Sequence, residues 1–309
     1  MKPRGGTELQ LELLHKYCKK ELLDQVNICT SIPGKVPLVK DKLNILWQKN
    51  SYDQPNLQNF FNNPMRHDEY DWYVFNSHWN YEKFRYFFRI PQDKSMVIKN
   101  GTENFPKRKP YNKGDKIKIL YNSTPWRGLN VMLGAMQHVT NPNVELDVYS
   151  STQIYGDYFA ETNKGKYEPL FEQAKKLKNV NYIGYKPHEY IMENIDKYHI
   201  WAHPSCWEET FCIGALEAMA AGLYMICTNY GALYETCSEW PVYVNYTQDY
   251  KKLSMVFGQA IDMACKQLGE DYLEDHLNAQ QLHAKRFYNW TKKGGEWELF
   301  LEGAISARR

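Results

Sequence analysis

Long apolar runs are missing from this chain. Runs such as Cys212–Leu216 and Leu223–Cys227 fall far short of the roughly 20 residues that span a bilayer. Mean hydropathy is -0.65, which excludes a membrane-embedded protein. The opening Met-Lys-Pro-Arg-Gly-Gly lacks the apolar core of a secretory signal, so a cytoplasmic location is expected. Disulfide staples are missing as well. Cys18, Cys29, Cys206, Cys212, Cys227, Cys237 and Cys265 are odd in number and form no Cys-x-x-Cys pair. They read as reduced cytosolic thiols. The Asn-x-Ser/Thr matches at Asn100, Asn122, Asn245 and Asn289 are then expected to be unmodified.

An excess of either charge is missing: 38 Lys and Arg against 36 Asp and Glu leave a formal net charge of +2. Nucleic acid is therefore not an expected partner. One basic run, Lys107-Arg108-Lys109 followed by Lys113, Lys116 and Lys118, reads either as a solvated linker or as a patch for anionic lipid or an acidic acceptor. Peripheral membrane contact stays open on that ground. No Asp-x-Asp, Gly-x-Ser-x-Gly or Walker-type loop occurs. His203, Cys206 and Cys212 fit no zinc spacing, so no metal site and no cofactor are expected.

What is present is regular alternation. A chain of 309 residues has room for two domains. A helix is predicted over about 7–23, strands over 26–29, 43–47, 72–75 and 96–98, and an aromatic-rich helix over 79–89. Residues 102–115, rich in Lys, Pro, Asn and Gly, mark the boundary. Beyond it strands are predicted at 117–121, 144–149, 180–183, 199–202, 223–228 and 242–244. Helices fall between them at 128–139, 167–177, 188–195, 212–221 and from Glu235, with two more over about 249–287. Such alternation implies parallel sheets covered by helices on both faces. The expected domains are 1–110 and 111–290, both Rossmann-like and facing a cleft, followed by a C-terminal helix over 291–309.

The segment His203 to Gly222 carries the chemistry. A strand ends, a polar loop follows, and a helix opens near Cys212 with small residues in its first turns. A helix start exposes unpaired N–H groups and partial positive charge, which suits a diphosphate. Glu209 precedes this helix and Glu217 lies inside it. Eight residues at 1.5 Å rise cover about 12 Å, a span from a sugar to the ribose of its nucleotide. A carboxylate accepts from two adjacent hydroxyls, so Glu217 suits a ribose diol and Glu209 the hydroxyls of a donor sugar.

This segment resembles the donor-site signature of family-4 glycosyltransferases of the GT-B fold. The matching residues are Pro204, Ser205, Glu209, Phe211, Glu217, Ala218, Met219, Ala220 and Gly222. Further marks follow the family order. Gly5-Gly6-Thr7-Glu8 resembles the Gly-rich loop of the first domain, and Val74–Ser77 its late strand. Val97–Gly101 resembles the strand and Asn-Gly turn before the linker. Arg127-Gly128 resembles the Lys-Gly that opens the first helix of the second domain, and Tyr182–Tyr185 the strand and turn beside the base. Trp297–Ala304 is similar to the helix that returns to the first domain.

The resemblance implies a retaining, metal-independent transfer of a sugar from a UDP- or GDP-linked donor to a glycan, lipid-linked or small-molecule acceptor. It implies that Glu209 contacts the sugar, Glu217 the ribose, and the amides of Phe211, Cys212 and Ile213 the sugar or phosphate. Arg127 would face the diphosphate, with Ser123 and Thr124 as further contacts. Gly5, Gly6 and Tyr185 complete the donor set. The sequence departs from the family at four places. The first domain is short. Cys212 stands where the family has Gly, and Asn122-Ser123-Thr124 where many relatives carry Arg. Lys49 stands where many carry a His that contacts the transferred sugar, and Lys49 is the expected substitute. His78 is the other candidate, although a lone His beside aromatics is more often structural. Two other readings stay open: a sugar-nucleotide epimerase of the same fold, and a non-catalytic nucleotide-sugar-binding protein.

Overall fold

The computed structural model describes residues 5–308, so the Met1–Arg4 start read above lies outside the described residues. The chain forms two compact units. One holds Gly6–Glu103, Glu209–Ile213 and the segment from Phe287 on; the other holds Gly5, Asn104–Glu208 and Gly214–Arg286.

The first unit runs α1 (Gly6–Tyr17), α2 (Lys20–Leu23), β1 (Val26–Thr30), β2 (Leu43–Gln48), α3 (Pro55–Phe61), β3 (Trp72–Phe75), α4 (His78–Phe88) and β4 (Ser95–Val97). Its four strands are parallel in the order β1-β2-β3-β4. Alternate side chains go to opposite faces of the sheet. Ile45, Trp47 and Val74 enter one cluster with Leu13, Leu14, Trp290 and Trp297. Leu46, Tyr73 and Phe75 enter another with Leu57, Phe61 and Phe84. The predicted helix over 7–23 is divided, because the backbone N–H of Lys19 leaves the helical ladder and donates to the Glu298 carboxylate at 2.8 Å.

That carboxylate belongs to the terminal helix, Trp290–Arg308. The helix is fastened at its start. The Thr102 N–H donates to the Tyr288 carbonyl at 2.8 Å, and the Trp290 N–H to the Thr102 carbonyl at 3.1 Å. Along its length Trp297 packs edge-on against Trp47, ring centroids 4.7 Å apart. Both indoles are fully buried. Trp297→Ala is expected to cost about 3–5 kcal/mol of the first unit's stability, read as a lower denaturant midpoint.

The second unit contains β5 (Ile117–Tyr121), α5 (Leu129–His138), β6 (Val144–Val148), α6 (Asp157–Lys176), β7 (Val180–Tyr182), α7 (His188–Asn194), β8 (Ile200–His203), α8 (Ile213–Ala221), β9 (Tyr224–Thr228), α9 (Leu233–Cys237), β10 (Val242–Val244), α10 (Tyr250–Gln267) and α11 (Asp271–Phe287), followed in the chain by α12 (Trp290–Arg308). Helix α8 takes its first residue from the segment assigned to the first unit. The six strands are all parallel, in the order β10-β9-β8-β5-β6-β7. Strand order therefore reverses between β5 and β8. In open α/β sheets the ligand crevice opens at the carboxyl ends of the strands at such a reversal.

Apolar residues of α5 (Leu129, Met132, Leu133 and Met136) bury against this sheet. Helix α10 crosses α5 closely: a Cβ added at Gly258 would lie 2.8 Å from the Ala135 carbonyl oxygen. The basic run after the boundary is laced to acids of this unit. Arg108 pairs with Glu274, Lys109 with Asp196 at 2.5 Å and Lys113 with Glu270 at 2.8 Å. These pairings hold three cations of the run against acids of their own unit.

Candidate functional site

The switch point of the second unit is built from two loops and one helix. Strand β5 ends at Tyr121, whose hydroxyl donates to the Thr124 carbonyl at 3.1 Å and folds Asn122–Thr124 into a turn. A single 3-10 turn, Pro125–Arg127, leads to Gly128, which has φ +107. There the backbone lies directly on the loop after β8: an added Cβ would be 2.0 Å from the Pro204 carbonyl oxygen. Trp201 of β8 donates from Nε1 to Asn122 Oδ1 at 2.8 Å. The same Asn122 oxygen would meet a Cβ on Gly214, in the first turn of α8, at 3.5 Å. The ends of β5 and β8 and the start of α8 thus meet around Asn122.

The loop after β8 is pinned. Ser205 donates its hydroxyl to the Trp207 carbonyl at 2.8 Å, and Thr228 donates to the Ser205 carbonyl at 3.0 Å. Thr124 is buried, and its Oγ1 has no hydrogen-bond partner. A buried hydroxyl left so is costly. Ser123 and Arg127 are half-buried beside it.

Helix α8 is buried from Ala215 to Ala221. Its end is satisfied from α11: Gln280 donates to the Leu223 carbonyl at 2.9 Å and Gln281 to the Ala220 carbonyl at 2.8 Å. Gly222 closes it at φ +70, the left-handed position where glycine costs least. This explains the small residues of the Glu-Ala-Met-Ala-Ala-Gly run. Glu217 is the exception, a carboxylate only 4% exposed on an apolar helix. Its Oε1 lies 2.5 Å from Nε2 of His188, the first residue of α7. The sequence reading placed a helix start at His188 without assigning the imidazole a role. Tyr185, half-buried, stands three residues earlier on the loop after β7, just past Gly184 at φ +76.

The five residues Glu209–Ile213 belong to the first unit. Thr210 ties them down. Its hydroxyl donates to the Lys49 carbonyl at 2.8 Å, and its own carbonyl accepts from the Ser77 hydroxyl at 2.6 Å. Ser77 also caps α4 by accepting from the Asn80 N–H at 3.0 Å. Phe211 is buried, with its ring 6.1 Å from that of Tyr288. Cys212 has φ +69, a left-handed conformation held at the very position where the resemblance expects glycine. Ile213 packs on Gly6 so tightly that an added Cβ would lie 2.7 Å from its Cδ1. Glu209 is 2% exposed, and Gly5 is half-buried.

Lys49 points into the first unit. Its ammonium donates to Asn100 Oδ1 at 2.8 Å and lies 3.5 Å from the centroid of the Trp47 ring. Burial pushes its pKa well below the ordinary lysine value, and the nearby Glu8 opposes that shift. The folded chain therefore releases this proton more readily than the unfolded chain. Wild-type stability relative to Lys49→Met should rise as pH climbs toward about 10.4 and fall as pH drops through the depressed value. Denaturant midpoints of both proteins across alkaline pH measure this.

In the second unit, then, Ser123, Thr124 and Arg127 gather at the switch point and Glu217 pairs with His188. In the first unit, Gly6 and Lys49 gather on the segment that holds Phe211, Cys212 and Ile213. Asn76, whose Nδ2 donates to Thr210 Oγ1 at 3.2 Å, together with Ser77, Asn100 and His188, contacts these groups, and the sequence gives none of the four a site role.

Two parallel-sheet α/β units with this topology define the GT-B fold. A glycosyltransferase from Rickettsia africae superposes with a TM-score of 0.69 at 14% identity, over 99% of this chain and 83% of that one. HepE of Anabaena, solved with UDP and glucose, superposes with a TM-score of 0.65 at 13% identity, over 85% and 72%. Sucrose-phosphate synthase of Thermosynechococcus elongatus gives 0.64 at 16%, over 86% and 69%. Residues 101–251, which include the switch-point loops and Glu217, match the family described as glycosyl transferases group 1. A comparison with curated protein sequences finds no match.

Proposed function

We propose that this chain is a glycosyltransferase that moves a sugar from a nucleoside-diphosphate donor to an acceptor hydroxyl, with retention and without a metal. One observation carries the reading: Glu217, a buried carboxylate inside an apolar helix that starts at a topological switch point. Burying a carboxylate is costly unless it is hydrogen-bonded. His188 meets that need in the free protein, and the ribose diol of a donor meets it in the complex. The amides of Phe211, Cys212 and Ile213 and the Arg127 guanidinium receive the pyrophosphate, where negative charge grows as the leaving group departs. Ser123 and Thr124 add hydroxyl contacts, and Tyr185 lies beside the base. Glu209 holds the sugar, and Gly5 and Gly6 belong to the donor set. Lys49, whose ammonium is engaged inside the first unit, acts by holding Trp47 and Asn100 in place.

The donor is UDP- or GDP-linked, and the UDP complex of a fold relative favours uridine. The acceptor is a glycan, a lipid-linked or a small-molecule hydroxyl, and the setting is cytoplasmic. The buried state of Lys49 also favours a second reading, a nucleotide-sugar-binding protein without turnover.

Release of nucleotide from UDP-glucose, UDP-N-acetylglucosamine and GDP-mannose, with and without acceptor sugars and a chelator, separates the readings. Turnover that persists in chelator and drops at least about tenfold in Glu209→Ala is the expected result. Binding with no turnover from any donor selects the second reading, and chelator-sensitive turnover removes metal independence.

A further inference from the structure

Glu217 and His188 are unequal partners. Glu217 stands on α8 between Leu216 and Ala218, both fully buried, and Gln280 and Gln281 of α11 hold the end of that helix. Its carboxylate cannot turn to solvent without unpacking the helix. His188 opens the seven-residue helix α7, where the residue before it, Pro187, supplies no side-chain cap. The His188 side chain is 32% exposed against 5% for Glu217, and its neighbours Pro187 and Glu189 are exposed. An imidazole so placed can turn into water, where its N–H finds a new acceptor. When a ligand comes between the two, His188 is the partner that leaves.

The contact itself sets up a competition. An ionised carboxylate only accepts hydrogen bonds, so Nε2 of His188 donates to Glu217 Oε1, at 2.5 Å. A ribose diol that donates to both carboxylate oxygens needs the position this N–H holds. A ligand that must open a native contact binds with an affinity lowered by the fraction of molecules in which that contact is open. Hydrogen bonds to an ionised group are among the stronger ones, which keeps that fraction small.

We propose that His188 is a latch on Glu217: it satisfies the buried carboxylate in the empty site and thereby restrains nucleotide binding. The latch rests on the reading of Glu217 as the ribose ligand. His188 acts through Glu217 and is a positioning residue. It spares the empty chain a buried unpaired carboxylate, and it shortens the stay of a bound nucleotide by competing for the same oxygen.

Calorimetric titration and thermal melts of the full chain test this, with UDP, or with GDP where wild type binds that more tightly. His188→Ala is expected to bind about tenfold more tightly than wild type. Its melting temperature without nucleotide should fall, and the rise on adding nucleotide should grow. His188→Asn, too short to reach Glu217, should behave the same, which keeps the test open if the alanine variant unfolds. His188→Gln, whose amide reaches as far as Nε2, should return the Kd toward wild type. In a Glu217→Ala background, His188→Ala should no longer change the Kd. A merely structural role lowers stability and affinity together. Unchanged or weaker binding in folded His188→Ala or His188→Asn therefore overturns the latch and leaves the Glu217 reading standing. Undiminished binding in Glu217→Ala alone overturns that reading, and the latch with it.

Discussion

Replacing Glu217 by alanine should weaken nucleoside-diphosphate binding by about a hundredfold. A hydrogen bond to a charged group contributes roughly 1.5–3 kcal/mol, and a ribose diol donates two to one carboxylate. Losing about 3 kcal/mol corresponds to two orders of magnitude in Kd. The carboxylate is buried in α8 and held by His188, so it waits in place rather than being ordered by the ligand. Glu217→Gln keeps the shape and an acceptor oxygen, and should lose much less. Calorimetric titration with UDP and GDP gives both numbers. A melting curve shows whether the alanine variant remains folded, which separates lost affinity from lost structure.

Gly128→Ala should have the largest effect on stability of any single methyl group added to the second unit. At φ +107 an L side chain is strained whatever the space, and here there is no space. The new Cβ would fall 2.0 Å from a backbone oxygen, that of Pro204. Neither segment can yield cheaply, because the Asn122–Thr124 turn and the loop after β8 are both tied by hydrogen bonds. A loss of about 3–5 kcal/mol is expected, with the nucleotide site lost alongside. Gly165→Ala is the control. It lies exposed in α6 with nothing within 4 Å of an added Cβ. Helix propensity should make it neutral or up to about 1 kcal/mol stabilising. Thermal melts of the two variants should move in opposite directions or differ by many degrees.

The strands were legible because their signal is short and apolar. Leu43–Trp47 and Tyr224–Thr228 are buried along their whole length, and the reading placed both within a residue of the observed bounds. Helix α8 was legible for the same reason, together with its small residues. Helix α6 was seen only from Tyr167, ten residues late. Its first half is polar and mostly exposed, so no apolar stripe announces it. The break between α1 and α2 was invisible because its cause, Glu298, lies 279 residues away.

The site divides in the same way. Glu209, Glu217, Arg127 and Gly128 stand in a local pattern that chemistry makes readable. The partners of these groups are not local. His188 meets Glu217 across 29 positions, Asn122 meets Trp201 across 79, and Asn100 meets Lys49 across 51. Cys212 illustrates a further limit. The sequence shows a cysteine in place of a glycine, but not that the backbone keeps the glycine's left-handed φ.

A crystal structure of the chain with UDP or GDP, whichever binds, bears most directly on all of this. The ribose hydroxyls should sit within about 3 Å of the Glu217 carboxylate, in place of His188, with the β-phosphate on the first turn of α8 beside Arg127. A nucleotide bound elsewhere, with Glu217 still on His188, would contradict the account.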